Sequence, residues 1–237
     1  MTSNLKKKVF VTGCTRGIGK SISEYFQEKG LIVFGTGTTS LAPSWVDRYE
    51  AFDFSEMSSL EECVGFISQV KPDILINNAG INQNRPFLEI PVELFSKIQR
   101  VNLLAPMMLS QAAIPAMLEV KWGRIVNMSS IWGKISKEHR ASYSASKFAL
   151  DGLTISISAE FATSGILANC VSPGFTDTEL TASMLGPSEL TKILDGVPIK
   201  RLAKPTEIAK IVGWLASEEN TYVTGQNIAI DGGFTRV

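Results

Sequence analysis

The chain has 237 residues, and its 23 basic side chains balance its 23 acidic ones without a long run of like charge. A sequence with this charge balance shows no sign of the basic patch of a nucleic-acid-binding protein, and it gives no reason to expect a membrane surface as a partner. The cysteines, Cys14, Cys63 and Cys170, include no Cys-x-x-Cys pair, so we predict neither a disulfide framework nor a metal site, and a reducing cytoplasm fits the chain.

The first predicted strand, Lys8–Thr12, runs directly into a glycine-rich turn. Gly13, Gly17 and Gly19 follow at the spacing Gly-x-x-x-Gly-x-Gly, and an amphipathic helical pattern begins at once over 17–29. Glycine suits this turn because it adopts unusual φ/ψ angles, and because a Cβ would keep the backbone away from a pyrophosphate at the helix N-terminus. The stretch therefore indicates dinucleotide binding, with an ordinary tight turn as the alternative.

Beyond this turn, short β-rich runs alternate with longer helical patterns. Strands are predicted over 8–12, 31–35, 49–54, 74–77, 124–128, 167–171 and 227–230, and helices over 17–29, 56–70, 92–118, 142–163 and 206–217. This alternation predicts an α/β fold: a single doubly wound, Rossmann-type domain over residues 1–237, with a seven-stranded parallel sheet and helices on both faces. We expect the functional site at the carboxyl ends of the strands.

The helical pattern over 92–118 contains the most apolar part of the chain. Two prolines, a serine and a glutamine interrupt it, so we expect it to fall short of a membrane span, which needs about 20 apolar residues. One of these prolines, Pro106, has no amide to bond the carbonyl of Asn102 four residues earlier. We therefore predict an irregular helix at Asn102, with a simple bend around the core as the alternative.

The end of the second predicted strand bears on the choice of cofactor. A ribose with a free 2′-hydroxyl is usually bound by an acid about twenty residues beyond the glycines, yet the run here is Gly-Thr-Gly-Thr-Thr over 35–39. Arg16 lies inside the glycine turn, and hydroxyl and guanidinium donors such as Thr38 and Arg16 suit a 2′-phosphate. We therefore expect NADP(H), while a solvated Arg16 beside turn-forming threonines is the alternative.

A second cluster of reactive side chains is the run Tyr-Ser-Ala-Ser-Lys from Tyr143 to Lys147. Residues four apart share a helix face, so the Lys147 ammonium should lie near the phenol and lower the pKa of Tyr143 from about 10 toward neutrality. Ser130 ends the fifth predicted strand thirteen residues earlier, where its hydroxyl can bond a substrate oxygen. If Tyr143 and Lys147 are considered without Ser130, the alternative is that they are neighbours on the protein surface with no catalytic role.

Several motifs occur in order along the chain: Thr12-Gly13-x-x-x-Gly17-Ile18-Gly19, Asn77-Asn78-Ala79-Gly80, Asn102, Ser130, Tyr143-x-x-x-Lys147 and Pro173-Gly174. Together they resemble the short-chain dehydrogenase/reductase family over essentially the whole chain. The closing segment Tyr222-Val223-Thr224-Gly225-Gln226, followed by Asp231-Gly232-Gly233, is most similar to the bacterial 3-oxoacyl-acyl-carrier-protein reductases.

The resemblance implies four catalytic residues. Tyr143 would donate the proton in carbonyl reduction, and Ser130 would orient and polarise the carbonyl. Lys147 would bind the nicotinamide ribose and tune Tyr143, while Asn102 would hold a relay water through its main-chain carbonyl. The hydride itself is the cofactor's.

The expected cofactor site draws on most of the strand ends. Asp53 and Phe54 would face the adenine, 78–80 would line its ribose, and 173–178 would meet the nicotinamide. The residues expected to contact the cofactor are Gly13, Thr15, Arg16, Gly17, Ile18, Gly19, Thr38, Asp53, Phe54, Asn78, Ala79, Gly80, Tyr143, Lys147, Pro173, Gly174, Thr176 and Thr178.

The favoured function is NADPH-dependent reduction of a 3-oxoacyl thioester, carried on acyl-carrier protein, to the 3-hydroxyacyl form by a homotetramer. Carrier docking is in doubt, because one position that is basic in those reductases, near the active-site mouth, is Ser164 here, whereas Lys121 retains the other. Alternatives are the reduction of a sugar, polyol or other small ketone, and a non-catalytic cofactor-sensing or scaffold protein. The intact Asn102, Ser130, Tyr143 and Lys147 argue against the last.

The segment 175–200 is a long insertion with a glycine and prolines, which we predict to be a lid over the substrate. The apolar candidates for lining a substrate cleft, with ordinary packing as the alternative, are Trp132, Met184, Leu185, Leu190, Ile193, Leu194 and Val197. His139, the only histidine, is expected to be a loop residue rather than part of a serine hydrolase, because the chain has no Gly-x-Ser-x-Gly elbow.

Overall fold

The computed structural model describes residues 6–179, 181 and 187–237. Its centre is a seven-stranded sheet in the order β3-β2-β1-β4-β5-β6-β7, with every neighbouring pair parallel. The strands are β1 Lys8–Thr12, β2 Ile32–Gly37, β3 Arg48–Ala51, β4 Ile74–Asn77, β5 Gly123–Met128, β6 Ile166–Pro173 and β7 Asn227–Ile230. The strand order reverses between β1 and β4, which is where a doubly wound sheet opens a crevice for a ligand.

Helices cover both faces of this sheet. They are α1 Gly17–Glu28, α2 Met57–Val70, α3 Val92–Gln99, α4 Ala105–Val120, α5 Ala141–Phe161, α6 Pro187–Gly196 and α7 Pro205–Leu215. Alternate residues of β1 point to opposite faces: Phe10 joins a core cluster with α2, α4 and α5, whereas Val9 and Val11 join a cluster with α1 and α7. The predicted single Rossmann-type fold is confirmed.

The third strand ends earlier than predicted. Its last ladder bond runs from the Phe52 amide to the Gly37 carbonyl at 2.9 Å. The Asp53 amide donates instead to the Ser59 hydroxyl at 2.9 Å, and the Ser55 amide donates to the Asp53 carboxylate at 2.9 Å. Side-chain hydrogen bonds thus draw the chain out of the sheet before residue 53, and Asp53 lies in a loop rather than in β3.

The long apolar helix differs from prediction in two ways. The prolines do not end it: α3 continues through a π-helical turn, Arg100–Leu104, into α4, and Pro106 lies in the first turn of α4, where a missing amide is tolerated. The continuous segment Val92–Val120 is therefore 29 residues long and apolar enough, by length and composition, to cross a membrane, contrary to our expectation. However, half of its most apolar stretch is buried within the protein, as in the core helix of a globular domain.

Candidate active site

The glycine turn between β1 and α1 forms a cradle for a pyrophosphate. Gly13 and Gly17 have φ angles of +66° and +54°, in the region that favours glycine. A Cβ on Gly19 would lie 2.1 Å from the Gly13 carbonyl oxygen, so no side chain fits there. The turn leads directly into the first amides of α1, which have no partner within the helix and can bind an anion.

The end of β4 holds this turn in place. The Asn78 side-chain amide donates to the carbonyls of Thr12 at 2.9 Å and Gly13 at 3.0 Å. In return, the Thr12 hydroxyl accepts the amides of Asn78 and Ala79, each at 2.9 Å. The Asn78 side chain is therefore engaged with the turn itself, while Gly80 beyond it is exposed. The ribose contact predicted over 78–80 would therefore be made by the main chain and by Gly80 rather than by the Asn78 side chain.

The two residues that suggested a 2′-phosphate lie in adjoining parts of the structure. A Cβ on Gly37, at the end of β2, would come within 2.7 Å of the Thr15 side chain, so the glycine turn and the β2 end are in contact. Arg16 in the turn and Thr38 after β2 are both exposed. The arrangement is therefore compatible with a 2′-phosphate bound by Arg16 and Thr38.

The two residues expected to face the adenine, Asp53 and Phe54, differ in exposure. Asp53 is exposed, and its hydrogen bond from the Ser55 amide lowers the pKa of its carboxyl. Phe54 is only 5% exposed and packs in the core cluster with Leu60 and Phe66, so its ring does not face a ligand. The burial of this ring leaves only the main chain of Phe54 for the predicted adenine contact, which stays a prediction.

The loop after β6 closes over the glycine turn. Pro173 ends β6, and the following Gly174 amide donates to the Ile230 carbonyl at 2.9 Å. A Cβ on Gly17 would lie 3.4 Å from the Thr178 side chain, which places Thr178 beside the turn. The Thr176 hydroxyl is buried and donates to the Gly174 carbonyl at 3.3 Å, so it supports the loop from within.

The predicted lid, 175–200, lies partly outside the described residues, and so do two of its cleft candidates, Met184 and Leu185. On α6 the side chains of Leu190, Ile193 and Leu194 are half-buried, and Val197 just beyond the helix is buried. The lid itself stays a prediction.

The second reactive cluster assembles at the carboxyl end of β5. Ser130 follows β5 directly, and its hydroxyl lies near enough to the Tyr143 phenol on α5 to favour the ionised phenol. The Lys147 amine, one turn further along α5, donates to the Met128 carbonyl at 2.7 Å and lies 5.6 Å from the Tyr143 ring centroid. A Cβ on Gly80 would come within 3.6 Å of the same amine, so the cluster adjoins the β4 end of the cofactor cradle.

Burial shifts the proton affinities of both groups. It lowers the pKa of Lys147 to about 8, because a buried ammonium loses hydration. It raises the pKa of Tyr143, an effect that the nearby Ser130 hydroxyl and the Arg140 charge only partly offset. Our expectation that Lys147 lowers the pKa of Tyr143 is therefore wrong for this structure, because desolvation dominates and the amine is directed at the Met128 carbonyl.

Asn102 lies in the π-helical turn, as the missing amide of Pro106 predicts. Its side-chain oxygen accepts the Ile81 amide at 2.9 Å, and its amide group donates to the Ile81 carbonyl at 2.9 Å and to the Ser146 hydroxyl at 3.1 Å. These bonds tie the helix to the β4 loop and to α5. The side chain is thus engaged with protein groups, and the relay water at the main-chain carbonyl stays a prediction.

Sequence reasoning missed three residues around this cluster. Ser146 links Asn102 to α5 and also donates to the Tyr143 carbonyl at 2.7 Å. Arg140 acts electrostatically on Tyr143, and Phe234 packs edge-on against the buried ring of Trp132. The sequence feature that could have identified Ser146 is its position next to Lys147, on the buried face of α5. Phe234 is far away in the sequence and reaches the site only through the tertiary fold.

His139 lies in the loop before α5, as expected. It is exposed and has a φ angle of +65°. Across the described part of the chain, no group of three His, Cys, Asp or Glu side chains is placed to hold a metal ion.

The cradle and the serine–phenol pair share one edge of the sheet, so a pyrophosphate held by α1 would bring the far half of a dinucleotide toward Tyr143. This arrangement defines a nicotinamide-dependent oxidoreductase: the cofactor supplies the hydride when bound, and the chain supplies the proton.

Comparisons with known proteins agree with that class. A family model described as "Enoyl-(Acyl carrier protein) reductase" matches residues 13–235. A 3-oxoacyl-[acyl-carrier-protein] reductase of Vibrio cholerae is 36% identical over 240 residues, covering 97% of this chain and 98% of the relative. The same-named protein of Aquifex aeolicus is 34% identical over 249 residues, covering 98% and 99%.

Solved structures include similar proteins with other substrates in their names. A protein described as an NAD(P)-dependent gluconate 5-dehydrogenase from Beutenbergia cavernae, with bound NADP, is 30% identical with a TM-score of 0.91, covering 98% of both chains. A 4-hydroxyisoleucine dehydrogenase complexed with NADH is 31% identical with a TM-score of 0.92, covering 98% of this chain and all of that one. The chain belongs to the short-chain dehydrogenase/reductase family.

Proposed function

We propose that this chain is an NADPH-dependent carbonyl reductase that converts a 3-oxoacyl thioester, carried on acyl-carrier protein, to the 3-hydroxyacyl form. The observation that carries the proposal is the placement of Ser130 and Tyr143 together beside the pyrophosphate cradle. The 36% identity to the Vibrio cholerae reductase supports the substrate class.

Each catalytic side chain has a role that follows from its environment. The Ser130 hydroxyl donates to the substrate carbonyl and orients it, and Tyr143 gives its phenolic proton to the developing alkoxide. The buried Lys147 amine, which adjoins Gly80, would bind the nicotinamide ribose. Because the pKa of Lys147 is about 8, this amine can also return a proton to Tyr143 near neutral pH, through water held at Asn102.

The proposal is tested by following NADPH oxidation with 3-oxobutanoyl-acyl-carrier protein and with ethyl acetoacetate, a neutral β-keto ester. Turnover of both, with a higher kcat/KM for the carrier-bound substrate, is the expected result. If neither substrate oxidises NADPH while the protein binds the cofactor, the chain is a cofactor-sensing or scaffold protein instead.

A second candidate is the reduction of a sugar, polyol or other small ketone. The positions of two residues support this candidate. Lys121 and Ser164, which correspond to basic positions of the carrier-protein reductases, precede β5 and β6 and therefore lie at the amino edge of the sheet, away from Tyr143. The backbone there is tight: a Cβ on Gly165 would lie 2.1 Å from the Lys121 carbonyl. Within one chain, Lys121 and Ser164 thus give no support to carrier docking at the active-site mouth, and carrier docking stays a prediction.

We expect NADPH to be preferred over NADH, because Arg16 and Thr38 are exposed and the loop at Thr38 offers no acid to a free ribose hydroxyl. Thr38→Asp should reduce that preference by about tenfold or more, since it places a carboxylate against the 2′-phosphate. The measurement is kcat/KM with each cofactor at saturating carbonyl substrate. Ser40→Asp, which adds the same charge two residues further along the exposed loop, is the control and should change the preference less. Equal kcat/KM for the two cofactors in the unmodified protein would overturn this prediction.

The family resemblance implies a homotetramer, and apolar surface on the long helices supports burial between subunits. Phe148 and Ile155 lie seven residues apart on one face of α5 and are 46% and 51% exposed. Light scattering at micromolar concentration should give about four times the chain mass of 25.8 kDa. Ile155→Glu should lower that mass, whereas a monomeric mass for the unmodified protein would contradict the prediction.

A further inference from the structure

A cavity of about 450 Å³ lies between the loop after β4 and the loop before α5. The first loop contributes Asn84 and Arg85, and the second contributes Lys137, His139 and Arg140. The Arg85 amide donates to the His139 carbonyl at 3.2 Å, which joins the two loops. Because both loops connect to the carboxyl edge of the sheet, the cavity opens on the same side as the catalytic cluster.

The charge in this cavity is predominantly positive. Arg85, Lys137 and Arg140 stand against one carboxylate, Glu138, among the described residues that line it. Within the described part of the chain, the ion pairs include neither Arg85 nor Lys137, and both side chains are exposed. Arg201 shows the contrasting case, since its guanidinium is already held by Glu207 through bonds of 2.7 and 2.8 Å. A guanidinium and an ammonium without a protein carboxylate are suited to bind an oxyanion.

The cavity also adjoins the reacting groups. The Arg140 guanidinium lies 5.1 Å from the centroid of the Trp132 ring, and the Lys137 amine lies 5.8 Å from it. Trp132 donates its amide to the Ser130 hydroxyl at 3.2 Å, and the Arg140 carbonyl accepts the Ser144 amide at 2.8 Å at the start of α5. One wall of the cavity is therefore bonded to the two segments that carry Ser130 and Tyr143.

We propose that this cavity binds an anionic group of the carbonyl substrate, a phosphate ester or a carboxylate, while the carbonyl lies against Tyr143. The inference rests on the proposed reductase function and names a feature of its substrate. In a carrier-bound thioester the group would be the phosphate of the phosphopantetheine arm; in a small ketone it would be a carboxylate. Arg85 and Lys137 are the residues expected to contact the oxyanion.

Two matched substrate pairs test the proposal, each sharing one carbonyl and differing in one charge. The first pair is 3-oxobutanoyl-4′-phosphopantetheine and 3-oxobutanoyl-pantetheine; the second is 5-oxohexanoate and its methyl ester. We expect the anionic member of at least one pair to have a kcat/KM about tenfold higher or more at low, constant ionic strength. A preference in the first pair identifies phosphate as the source, and one in the second pair identifies carboxylate.

The double variant Arg85→Gln, Lys137→Gln should abolish that preference while leaving kcat/KM for the neutral member unchanged. Lys210→Gln is the matched control, because it removes an exposed lysine from α7, which packs against α1 rather than beside the cavity. Equal rates within both pairs in the unmodified protein, or a preference that survives in the double variant, would overturn the inference.

Failure of the proposed function gives a different result, in which no member of either pair oxidises NADPH. In that case calorimetric titration with 4′-phosphopantetheine and pantetheine, and with 5-oxohexanoate and its methyl ester, decides the inference separately. Binding that requires the anionic group in either pair and is lost in the double variant supports it, and the absence of such binding in both pairs overturns it.

Discussion

Tyr143→Phe is expected to lower kcat for carbonyl reduction by about two to four orders of magnitude, the range typical of a positioned proton donor. The substitution removes only the phenolic oxygen beside Ser130, and it keeps the aromatic ring, whose centroid lies 5.6 Å from the Lys147 amine. Cofactor affinity and thermal stability should therefore change little. The measurement is single-turnover NADPH oxidation at saturating substrate, alongside a cofactor titration.

The pH dependence supplies an independent check of the same role. The phenol must be protonated to donate, and burial raises the pKa of Tyr143, so reduction should persist through neutral pH and decline as alkaline pH deprotonates it. The Lys147 amine has a pKa of about 8, so it also loses its charge on the alkaline side of neutrality. The residual activity of Tyr143→Phe should lack the decline that Tyr143 causes. A variant that keeps more than about a tenth of the original kcat would exclude Tyr143 as the proton donor.

Gly19→Ala is expected to weaken cofactor binding by at least about tenfold, or roughly 1.4 kcal/mol. An added Cβ would lie 2.1 Å from the Gly13 carbonyl oxygen and 2.4 Å from the Asn78 side-chain amide. Because one of these groups is backbone and the other holds the turn, the cradle must deform to accept the methyl group. The measurement is the Kd for NADPH by fluorescence titration, together with the rise in Tm that bound cofactor produces.

Gly65→Ala is the matched control for this effect. Gly65 lies within α2, is exposed, and would have no heavy atom within 4 Å of an added Cβ. Alanine is the better helix former, so this variant should gain about 0.5–1 kcal/mol of stability with unchanged cofactor affinity. If Gly19→Ala binds NADPH as tightly as Gly65→Ala does, the glycine turn is not the pyrophosphate site.

Local patterns were sufficient to predict most of the fold. Alternating apolar runs and helical periodicity depend on neighbours close along the chain, and strands such as β1 and β4 begin and end where those patterns do. The glycine spacing and the four-residue step from Tyr143 to Lys147 are local in the same sense, so the turn and the α5 face could be predicted. The irregular helix at Asn102 likewise lies four residues before Pro106, where the missing proline amide led us to expect it.

Other features depended on groups far apart in the chain. Asn78 bonds the glycine turn across 65 residues, and Thr178 reaches the same turn from the end of β6. No periodicity records such contacts. The boundary of β3 likewise depended on side-chain hydrogen bonds around Asp53 rather than on strand propensity.

The sequence by itself determined the order of the elements, the glycine cradle and the identity of the reactive side chains, because each is encoded in residues near one another along the chain. Only the tertiary structure decided that burial raises the pKa of Tyr143 and that Phe54 belongs to the core. It also placed Lys121 at the edge of the sheet away from the site and Arg85 beside Arg140 at the site's own edge. The physical reason is that desolvation and charge proximity depend on distances in space, which the packing of the helices and loops on the sheet sets.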